Sequence, residues 1–420
     1  MRVQRCKGTR DLSPDDMIRF RLIEGIFREC CLKWGYREVR TPTIEYLHLF
    51  TSAGTLTPSM LGKVYSFLDW DGWSGERVVL RPDGTIPIAR LYIDTVADKS
   101  LAKLFYVANT FIFEETGEKT RERWQCGTEL IGTASPLTDA ELILLALEIA
   151  KKLKLEGVKL RLSHAGLIKA LLVKLGLSPE EQTKIFDQIL DGNGEALARI
   201  KSDKPDLENV LFPLLNLKGK SSGFLKNLKA LSVQSLPEAE PYLNNFINIV
   251  DILEELGCKY QIDIASGASF EYYTGVIFQL FMGKEKIGGG GRYDALIPAM
   301  GGGDIPASGF ALYIDRLMGL IKPEMLTKSV TQRILVKAEK EDVVKEAFGA
   351  ASRLHEAGYT AEINPGDREL ADLRWTVNVQ STKPFFVLTD CVSRKKFETQ
   401  TIGEVLVLLE EGNASEDSSA

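Results

Sequence analysis

The chain has 420 residues, several times the length of one small folding unit, so two or three domains are expected. Apolar residues make up 44% and charged residues 26%, which is typical of a folded globular chain and excludes a disordered one. Lys and Arg number 52 and Asp and Glu number 58, so the net charge is −6. No basic field of the whole chain therefore favours nucleic acid or an anionic membrane.

Nothing in the sequence predicts export, membrane insertion or a metal centre. Residues 1–14 are charged and lack the apolar run of a signal peptide. The most apolar later stretch, 142–150, contains Glu148 and is too short to cross a bilayer, so we expect a cytoplasmic protein. The 6 cysteines show no Cys-x-x-Cys spacing and the 3 histidines are far apart, so we expect no disulfide framework, no metal and no cofactor.

Caps and periodicity predict the elements of the first half of the chain. Ser13 and Pro14, followed by two aspartates, are typical of a helix start, and Gly35 of its end. The apolar residues at helical spacing are Ile18, Leu22, Ile26, Cys30 and Trp34. Strands are predicted at 36–40, 78–80 and 103–113. Thr138 and Glu141 form a capping box that predicts a buried helix through Lys154.

The second half predicts an insertion and a separate small domain. From about 167 to 255, helical segments alternate with polar stretches, which predicts a helical insertion, and strand-like sequence returns at 260–320. A linker at 322–332 precedes a domain at 333–409 that alternates strand and helix, as in α/β domains. Its predicted elements are strands at 333–337, 360–364 and 384–388 and helices at 341–357 and near 369–379. The polar, acidic residues 410–420 predict a flexible tail.

Four consecutive glycines, 288–291, precede Arg292 and admit two interpretations. A phosphate-binding loop is one, although no Gly-Lys-Ser/Thr follows and no third spaced glycine completes a dinucleotide fingerprint. The other is a backbone segment that needs a positive φ or a very close approach to a neighbour. The sequence leaves both open.

Polar side chains embedded in strand-like apolar sequence are the strongest candidates for a site. Asp83 and Thr85 are two residues apart, and Gln125 and Glu129 are four apart, which places the second pair on one face of a strand. Two carboxylates and an amide could hold an ammonium group and a polar side chain, since a buried carboxylate without a partner is costly. An internal hydrogen-bond network is the alternative.

Ordered matches along most of the chain resemble the motifs of the histidyl-tRNA synthetases. They lie at 7–11, 35–45, 80–85, 111–114, 121–122, 125–132, 272–275, 289–294, 309–311 and 315–317. The resemblance implies an α+β fold: a class II aminoacyl-tRNA synthetase-like antiparallel sheet core over 1–321 that carries the helical insertion, plus the C-terminal α/β domain. It also implies a homodimer formed through the first motif.

The resemblance implies an intact amino-acid pocket beside a damaged phosphate site. The implied histidine-binding residues are Asp83, Thr85, Gln125, Glu129, Tyr272 and Tyr273. The two arginines that in the family stabilise the reacting groups fall on Ile112 and Ala268, which cannot donate side-chain hydrogen bonds. Removing one such donor costs about 10²–10³ in rate, so we expect histidine activation to be crippled and no residue to be catalytic.

The nucleotide side of the implied site is partly retained. Trp124 replaces the family's histidine, and the loop after Glu114 lacks the usual arginine-proline and is one residue short. The chain retains three residues that contact the nucleotide in the family: Glu114, Arg121 and Arg316. They are consistent with weak nucleotide binding and equally with ion pairs that support the fold.

One group of relatives, the non-catalytic regulatory subunits of ATP phosphoribosyltransferase, shares this pattern. That resemblance implies a hetero-oligomer with the short catalytic subunit, in which L-histidine acts as the effector of feedback inhibition at the first step of histidine biosynthesis, and it makes tRNA an unexpected partner. The alternatives are a divergent histidyl-tRNA synthetase and a stand-alone binding protein. The basic residues of the C-terminal domain (Arg374, Lys383, Arg394, Lys395 and Lys396) form either a binding patch or a solvated face.

Overall fold

A computed structural model describes residues 4–52, 61–69, 75–95, 101–113, 121–174, 178, 217–232, 236–264, 273–326, 333–364 and 373–417. The chain divides into two compact units between Lys322 and Pro323. None of the described helices is both long enough and apolar enough to span a bilayer.

The first unit contains nine labelled helices and twelve strands among the described residues. The helices are α1 (Pro14–Lys33), α2 (Leu47–Ser52), α3 (Thr85–Thr95), α4 (Pro136–Lys152), α5 (Ala165–Lys174), α6 (Ser222–Ser232), α7 (Glu240–Glu255), α8 (Leu296–Ala299) and α9 (Ile314–Met318). The strands are β1 (Arg37–Glu38), β2 (Ile44–Tyr46), β3 (Ser66–Leu68), β4 (Arg77–Leu80), β5 (Ala102–Phe111), β6 (Glu122–Ile131), β7 (Lys159–His164), β8 (Lys218–Gly219), β9 (Tyr260–Asp263), β10 (Val276–Met282), β11 (Glu285–Arg292) and β12 (Ala307–Tyr313).

A nine-stranded sheet forms the centre of this unit, in the order β1-β5-β6-β12-β11-β10-β7-β9-β8. Its strands pair antiparallel except at β1-β5 and β7-β9, which are parallel. A second, three-stranded sheet has the order β2-β4-β3. The predicted α+β fold with a largely antiparallel sheet is therefore confirmed.

Helix α1 begins where the sequence predicts, but it buries a different face. The Ser13 hydroxyl accepts a hydrogen bond from the Asp16 amide, and the Asp16 carboxylate accepts one from the Ser13 amide. The buried apolar residues are Phe20, Ile23, Phe27, Cys30 and Cys31, whereas Ile18 is 47% exposed. The helix carries apolar residues on more than one face, and packing of its rings against β5 and β6 determines which face is buried.

The N-cap of helix α4 lies three residues before the predicted one. Ser135, followed by Pro136, is the N-cap, and its hydroxyl accepts from the Thr138 amide. Thr138 is therefore the capping-box partner inside the first turn and not the cap itself. The helix ends at Lys152, two residues before the predicted end, and it has buried side chains on several sides, as the sequence predicts.

The described part of the predicted insertion is mainly helical. Helices α5, α6 and α7 lie within or at the edge of 167–255, and the short strand β8 adds one edge pairing with β9. Residues 175–177 and 179–216 of the insertion lie outside the described residues.

The glycine run is a strand and not a phosphate loop. Residues 288–291 belong to β11, which pairs with β10 on one side and β12 on the other. A Cβ atom on Gly289 would lie 2.6 Å from the Phe278 carbonyl oxygen, and one on Gly288 would lie 2.7 Å from the Ala311 carbonyl oxygen. The close-approach interpretation is therefore the correct one.

The second unit contains a five-stranded sheet in the order β14-β13-β15-β16-β17. Its elements are β13 (Arg333–Ala338), α10 (Val344–Glu356), β14 (Thr360–Ile363), β15 (Trp375–Val379), β16 (Phe386–Asp390), β17 (Lys396–Thr399) and α11 (Ile402–Asp417). Parallel β13-β14 and β13-β15 pairs agree with the predicted α/β alternation.

One predicted element of this unit was wrong. The helix predicted near 369–379 is strand β15 over its last five residues, where buried and half-buried side chains alternate. This period of two, with β-branched Thr376 and Val377, is typical of a strand. Helix α11 runs to Asp417, so its last residues fall within the predicted tail, and Val405 and Leu409 bury one side of its first half in the core of this unit. Residues 365–372 lie outside the described residues.

Candidate functional site

Five of the six predicted histidine-site residues are described and all five are buried. Asp83 and Thr85 lie at the start of α3, Gln125 and Glu129 on β6, and Tyr273 just before β10. The structure brings Thr85, Glu129, Gln125 and Asp83 into one cluster through direct contacts and charge interactions. Tyr272 lies outside the described residues.

Glu129 is the most enclosed member, with 1% of its surface exposed. The Thr85 hydroxyl donates to Oε1 at 2.8 Å, and the Tyr293 hydroxyl donates to Oε2. Burial raises the pKa of the Glu129 carboxyl to about 8, the charge of Asp83 adds to the rise, and the hydroxyl donors oppose it. Within the part of the chain that the structure describes, hydroxyl groups and not a cation hold this carboxyl in place.

Asp83 accepts a hydrogen bond from the backbone of helix α3 in addition to belonging to the cluster. Its Oδ1 accepts from the Ile86 amide at 2.9 Å, so the side chain caps the N-terminal turn of α3. Burial raises the pKa of Asp83 to about 6, and the amides of Ile86, Thr85 and Gly84 lower it in part. One oxygen of this carboxyl is therefore committed to the helix.

Tyr106, which the sequence did not single out, lies between the two carboxyls. Gln125 Nε2 donates to the Tyr106 hydroxyl at 3.1 Å. Burial, together with the charges of Glu129 and Asp83, raises the pKa of Tyr106 well above its ordinary value. A Cβ on Gly84 would lie 2.5 Å from this ring, and one on Gly127 would overlap it. Gly84 and Gly127, which lie in two of the predicted motifs, were the only features of the sequence that indicated a bulky side chain beside them.

The cluster has the chemistry of a cation-binding site. Neither Asp83 nor Glu129 forms a salt bridge with a Lys, Arg or His among the described residues. The hydroxyl and amide groups around them can orient a second polar group. Such a set can hold an ammonium group or an imidazole, and it contains no activated nucleophile.

No group of three or more His, Cys, Asp or Glu with metal-binding geometry occurs in the described ranges. His164 Nδ1 accepts from the Leu167 amide at 3.3 Å, and burial lowers the pKa of His164 to about 4. His355 bonds the Ala361 carbonyl group, and His48 stacks on Tyr46. All 6 cysteines are free thiols.

Comparison with known proteins places this architecture in a family. The model of the histidyl-tRNA synthetase family matches residues 8–317. An ATP phosphoribosyltransferase regulatory subunit from Dehalococcoides mccartyi is 52% identical over 99% of this chain and 100% of its own length. The chain belongs to the regulatory-subunit branch of the histidyl-tRNA synthetase family.

Other members of the histidyl-tRNA synthetase family are more distant. A histidine–tRNA ligase from Archaeoglobus fulgidus is 33% identical, covering 98% of each chain. A solved ATP phosphoribosyltransferase regulatory subunit/histidyl-tRNA synthetase from Bacillus halodurans has a TM-score of 0.77 at 23% identity, covering 90% of this chain and 98% of that one. The histidyl-tRNA synthetase of Nostoc has a TM-score of 0.75 at 19% identity, covering 98% and 99%. These two structures confirm the class II synthetase-like fold.

Ile112 occupies the position at which the resemblance implies a phosphate-contacting arginine. Ile112 is half-buried, and its backbone amide donates to the Arg121 carbonyl oxygen at 2.9 Å. The Arg121 guanidinium lies 4.5 Å from the centre of the Phe113 ring. Arg316 pairs with exposed Glu285 at 2.5 Å, which agrees with a fold-supporting ion pair. Ala268 and Glu114 lie outside the described residues.

A glycine on the neighbouring strand makes room for Glu129. Gly309 of β12 is the register partner of Glu129, and a Cβ there would overlap Glu129 Oε2. We expect Gly309→Ala to displace the carboxyl and to cost about 1–3 kcal/mol of unfolding free energy, as overpacking does. Urea unfolding measures this cost. The control is Gly25→Ala at an exposed position of helix α1, where nothing lies within 4 Å of the added Cβ. This change should be neutral or stabilising. Equal effects of both changes would contradict the packing argument.

Proposed function

We propose that this chain is the non-catalytic regulatory subunit of ATP phosphoribosyltransferase, the enzyme of the first step of histidine biosynthesis, and that L-histidine binds to it as the feedback effector. The observation that supports this most directly is a buried cluster with two carboxyls, Asp83 and Glu129, together with an apolar residue, Ile112, where the resemblance implies a phosphate-contacting arginine. A site that keeps the groups for binding an amino acid, but lacks those that would activate it with ATP, is suited to sensing that amino acid.

In the proposed site, the histidine ammonium group and imidazole lie among Asp83, Thr85, Gln125 and Glu129, with Tyr272 and Tyr273 closing over them. Thr85 and Glu129 are already joined at 2.8 Å, and Gln125 is held by Tyr106 at 3.1 Å, so these polar groups are preorganised. Because Asp83 also caps α3, we propose Glu129 as the main carboxyl contact of the effector.

The proposed assembly is a cytoplasmic hetero-oligomer. A homodimer formed through the synthetase-like core would bind the short catalytic subunit, which makes phosphoribosyl-ATP from ATP and phosphoribosyl diphosphate. No role with tRNA is proposed, since the histidine–tRNA ligase from Archaeoglobus fulgidus is 33% identical to this chain, whereas the regulatory subunit from Dehalococcoides mccartyi is 52% identical.

Reconstitution with the short catalytic subunit tests this function. Transferase activity is expected to require this chain and to fall as histidine is added. Binding that is confined to the folded state should also raise stability by about 2.7 kcal/mol at a hundredfold excess of histidine over Kd. With Glu129→Ala, activity should remain and its inhibition by histidine should be lost.

Two further variants control this experiment. Glu129→Gln keeps the side-chain volume if the alanine variant fails to fold, and Glu255→Ala removes an exposed glutamate of α7 and should behave as the unmodified chain. A short subunit that is fully active and fully histidine-sensitive by itself would refute the regulatory role. Unchanged inhibition with both Glu129 variants would refute the proposed effector site.

A further inference from the structure

The Glu129 carboxyl is surrounded by neutral donors and one like charge. The groups that face it are the Thr85 hydroxyl from α3, the Tyr293 hydroxyl that follows β11, the Tyr106 phenol from β5 and the Asp83 carboxyl. The Tyr36 phenol before β1 also senses its charge. Among the described residues, no lysine, arginine or histidine compensates it. An ionised carboxylate enclosed in this way is costly.

While the site holds no ligand, protonation of Glu129 is the simplest way to avoid the cost of a buried carboxylate. Burial and Asp83 together raise the pKa of Glu129 to about 8, so the carboxyl is mainly neutral at pH 7. An ammonium group placed beside it would favour the ionised form instead. The ligand cation and the proton therefore compete for the same carboxyl.

We propose that a cationic group of the bound amino acid replaces the proton of Glu129, which leaves to solvent, and that Tyr293 is the positioning residue that holds the ionised carboxyl. This inference rests on the proposed histidine site and adds its proton coupling. The O–H bond of the Glu129 carboxyl breaks, its electron pair stays on the carboxylate and the proton passes to solvent. No other covalent bond changes, so one proton is released for each ligand that binds to the protonated form. The role of Tyr293 follows from its hydroxyl, which donates to Oε2 on the side opposite the Thr85 contact with Oε1.

The pH dependence follows from the direction of the shift. Below about pH 8 the free carboxyl must lose its proton for the ligand to bind, so affinity should rise with pH by up to about tenfold per unit. Above that pH the rise should level off. The Tyr293 hydroxyl is a donor that lowers the pKa of Glu129, so removing it should raise that pKa. The pH at which histidine affinity stops rising should then be about one unit higher.

Calorimetric titration of the full chain with L-histidine between pH 7 and 9, in buffers of different protonation enthalpy, counts the protons released. We expect close to one proton at pH 7, fewer as the pH passes 8, and a shift of this profile to higher pH in Tyr293→Phe. The matched control is Tyr260→Phe, which removes a phenol–carboxyl bond to Glu254 of 2.6 Å away from the cluster and should leave the profile unchanged. Profiles of Tyr293→Phe and the unmodified chain that coincide would overturn the role of Tyr293.

A ligand-free measurement separates this inference from the proposed function. The side-chain ¹³C resonance of Glu129, assigned by its absence in Glu129→Gln, should titrate near pH 8 and move upward in Tyr293→Phe. If it titrates in that way but histidine does not bind, the effector assignment fails while the positioning role of Tyr293 stands. If Glu129 titrates near the ordinary glutamate pKa, the proton exchange is refuted whether or not histidine binds.

Discussion

Histidine-dependent exchange of pyrophosphate into ATP should be at least about 10⁴-fold slower with this chain than with a histidyl-tRNA synthetase assayed beside it. Each lost cation that would stabilise charge on the reacting phosphate costs about 10²–10³ in rate, and two positions are affected, Ile112 and Ala268. The structure adds that the Ile112 amide is already committed to the Arg121 carbonyl group. Exchange within tenfold of the synthetase would show that activation survives.

Restoring one arginine is a sharper form of the same experiment. We expect Ile112→Arg alone to leave the exchange rate low, because Ala268 and Trp124 still differ from the family pattern. Trp124 is half-buried and packs edge-to-face on the buried ring of Phe20 at 5.2 Å, so it also supports the packing of α1. Ile112→Leu is the control for changes in packing. A large gain from the single arginine would mean that the remaining machinery is intact.

The largest loss of stability is expected from breaking the buried ion pair between α4 and β11. Arg292 donates to both oxygens of Asp139, at 2.7 and 3.1 Å, and the two side chains are 6% and 1% exposed. Asp139→Ala would leave the guanidinium buried with Asp294 as its remaining carboxylate partner. The expected cost is about 3–5 kcal/mol of unfolding free energy.

Urea unfolding of the full chain measures this loss against a matched exposed pair. Asp251→Ala removes a carboxylate that lies 3.0 Å from the amine of Lys226, where the two side chains are 37% and 53% exposed. Its cost should be below about 1 kcal/mol, since exposed pairs contribute little. Similar losses in both variants would mean that burial does not determine the strength of the Arg292 pair.

Local features of the sequence predicted those parts of the fold that depend on a few neighbouring residues. The start of α1 follows from the capping residues Ser13 and Asp16. Gln125 and Glu129 are four residues apart on strand β6, and this even spacing places their side chains on one face. The start of α4 was wrong because two overlapping capping patterns, at Ser135 and Thr138, compete and only one begins the helix.

The parts of the site that were missed depend on pairing across the sheet. Tyr106, Tyr293 and Gly309 reach Glu129 from three other segments, and nothing in the local sequence fixes the register that aligns them. Asp83 was recognised as a carboxyl of the pocket, but its role as a helix cap required the position of the Ile86 amide. The family motifs therefore predicted several members of the cluster around Glu129, but not the two tyrosines and the glycine that support it.

The overlap of Gly309 with Glu129 also constrains where mutations can accumulate. A side chain at position 309 is blocked twice, because its Cβ would overlap both Glu129 Oε2 and the Thr128 carbonyl oxygen. Shortening Glu129 removes the first obstacle but not the second, which is backbone, so position 309 stays closed to larger residues. The hydrogen bond of Ile112 to the Arg121 carbonyl group comes from its backbone amide, so a change of its side chain keeps that bond. Substitutions are therefore expected to accumulate more readily at position 112 than at position 309.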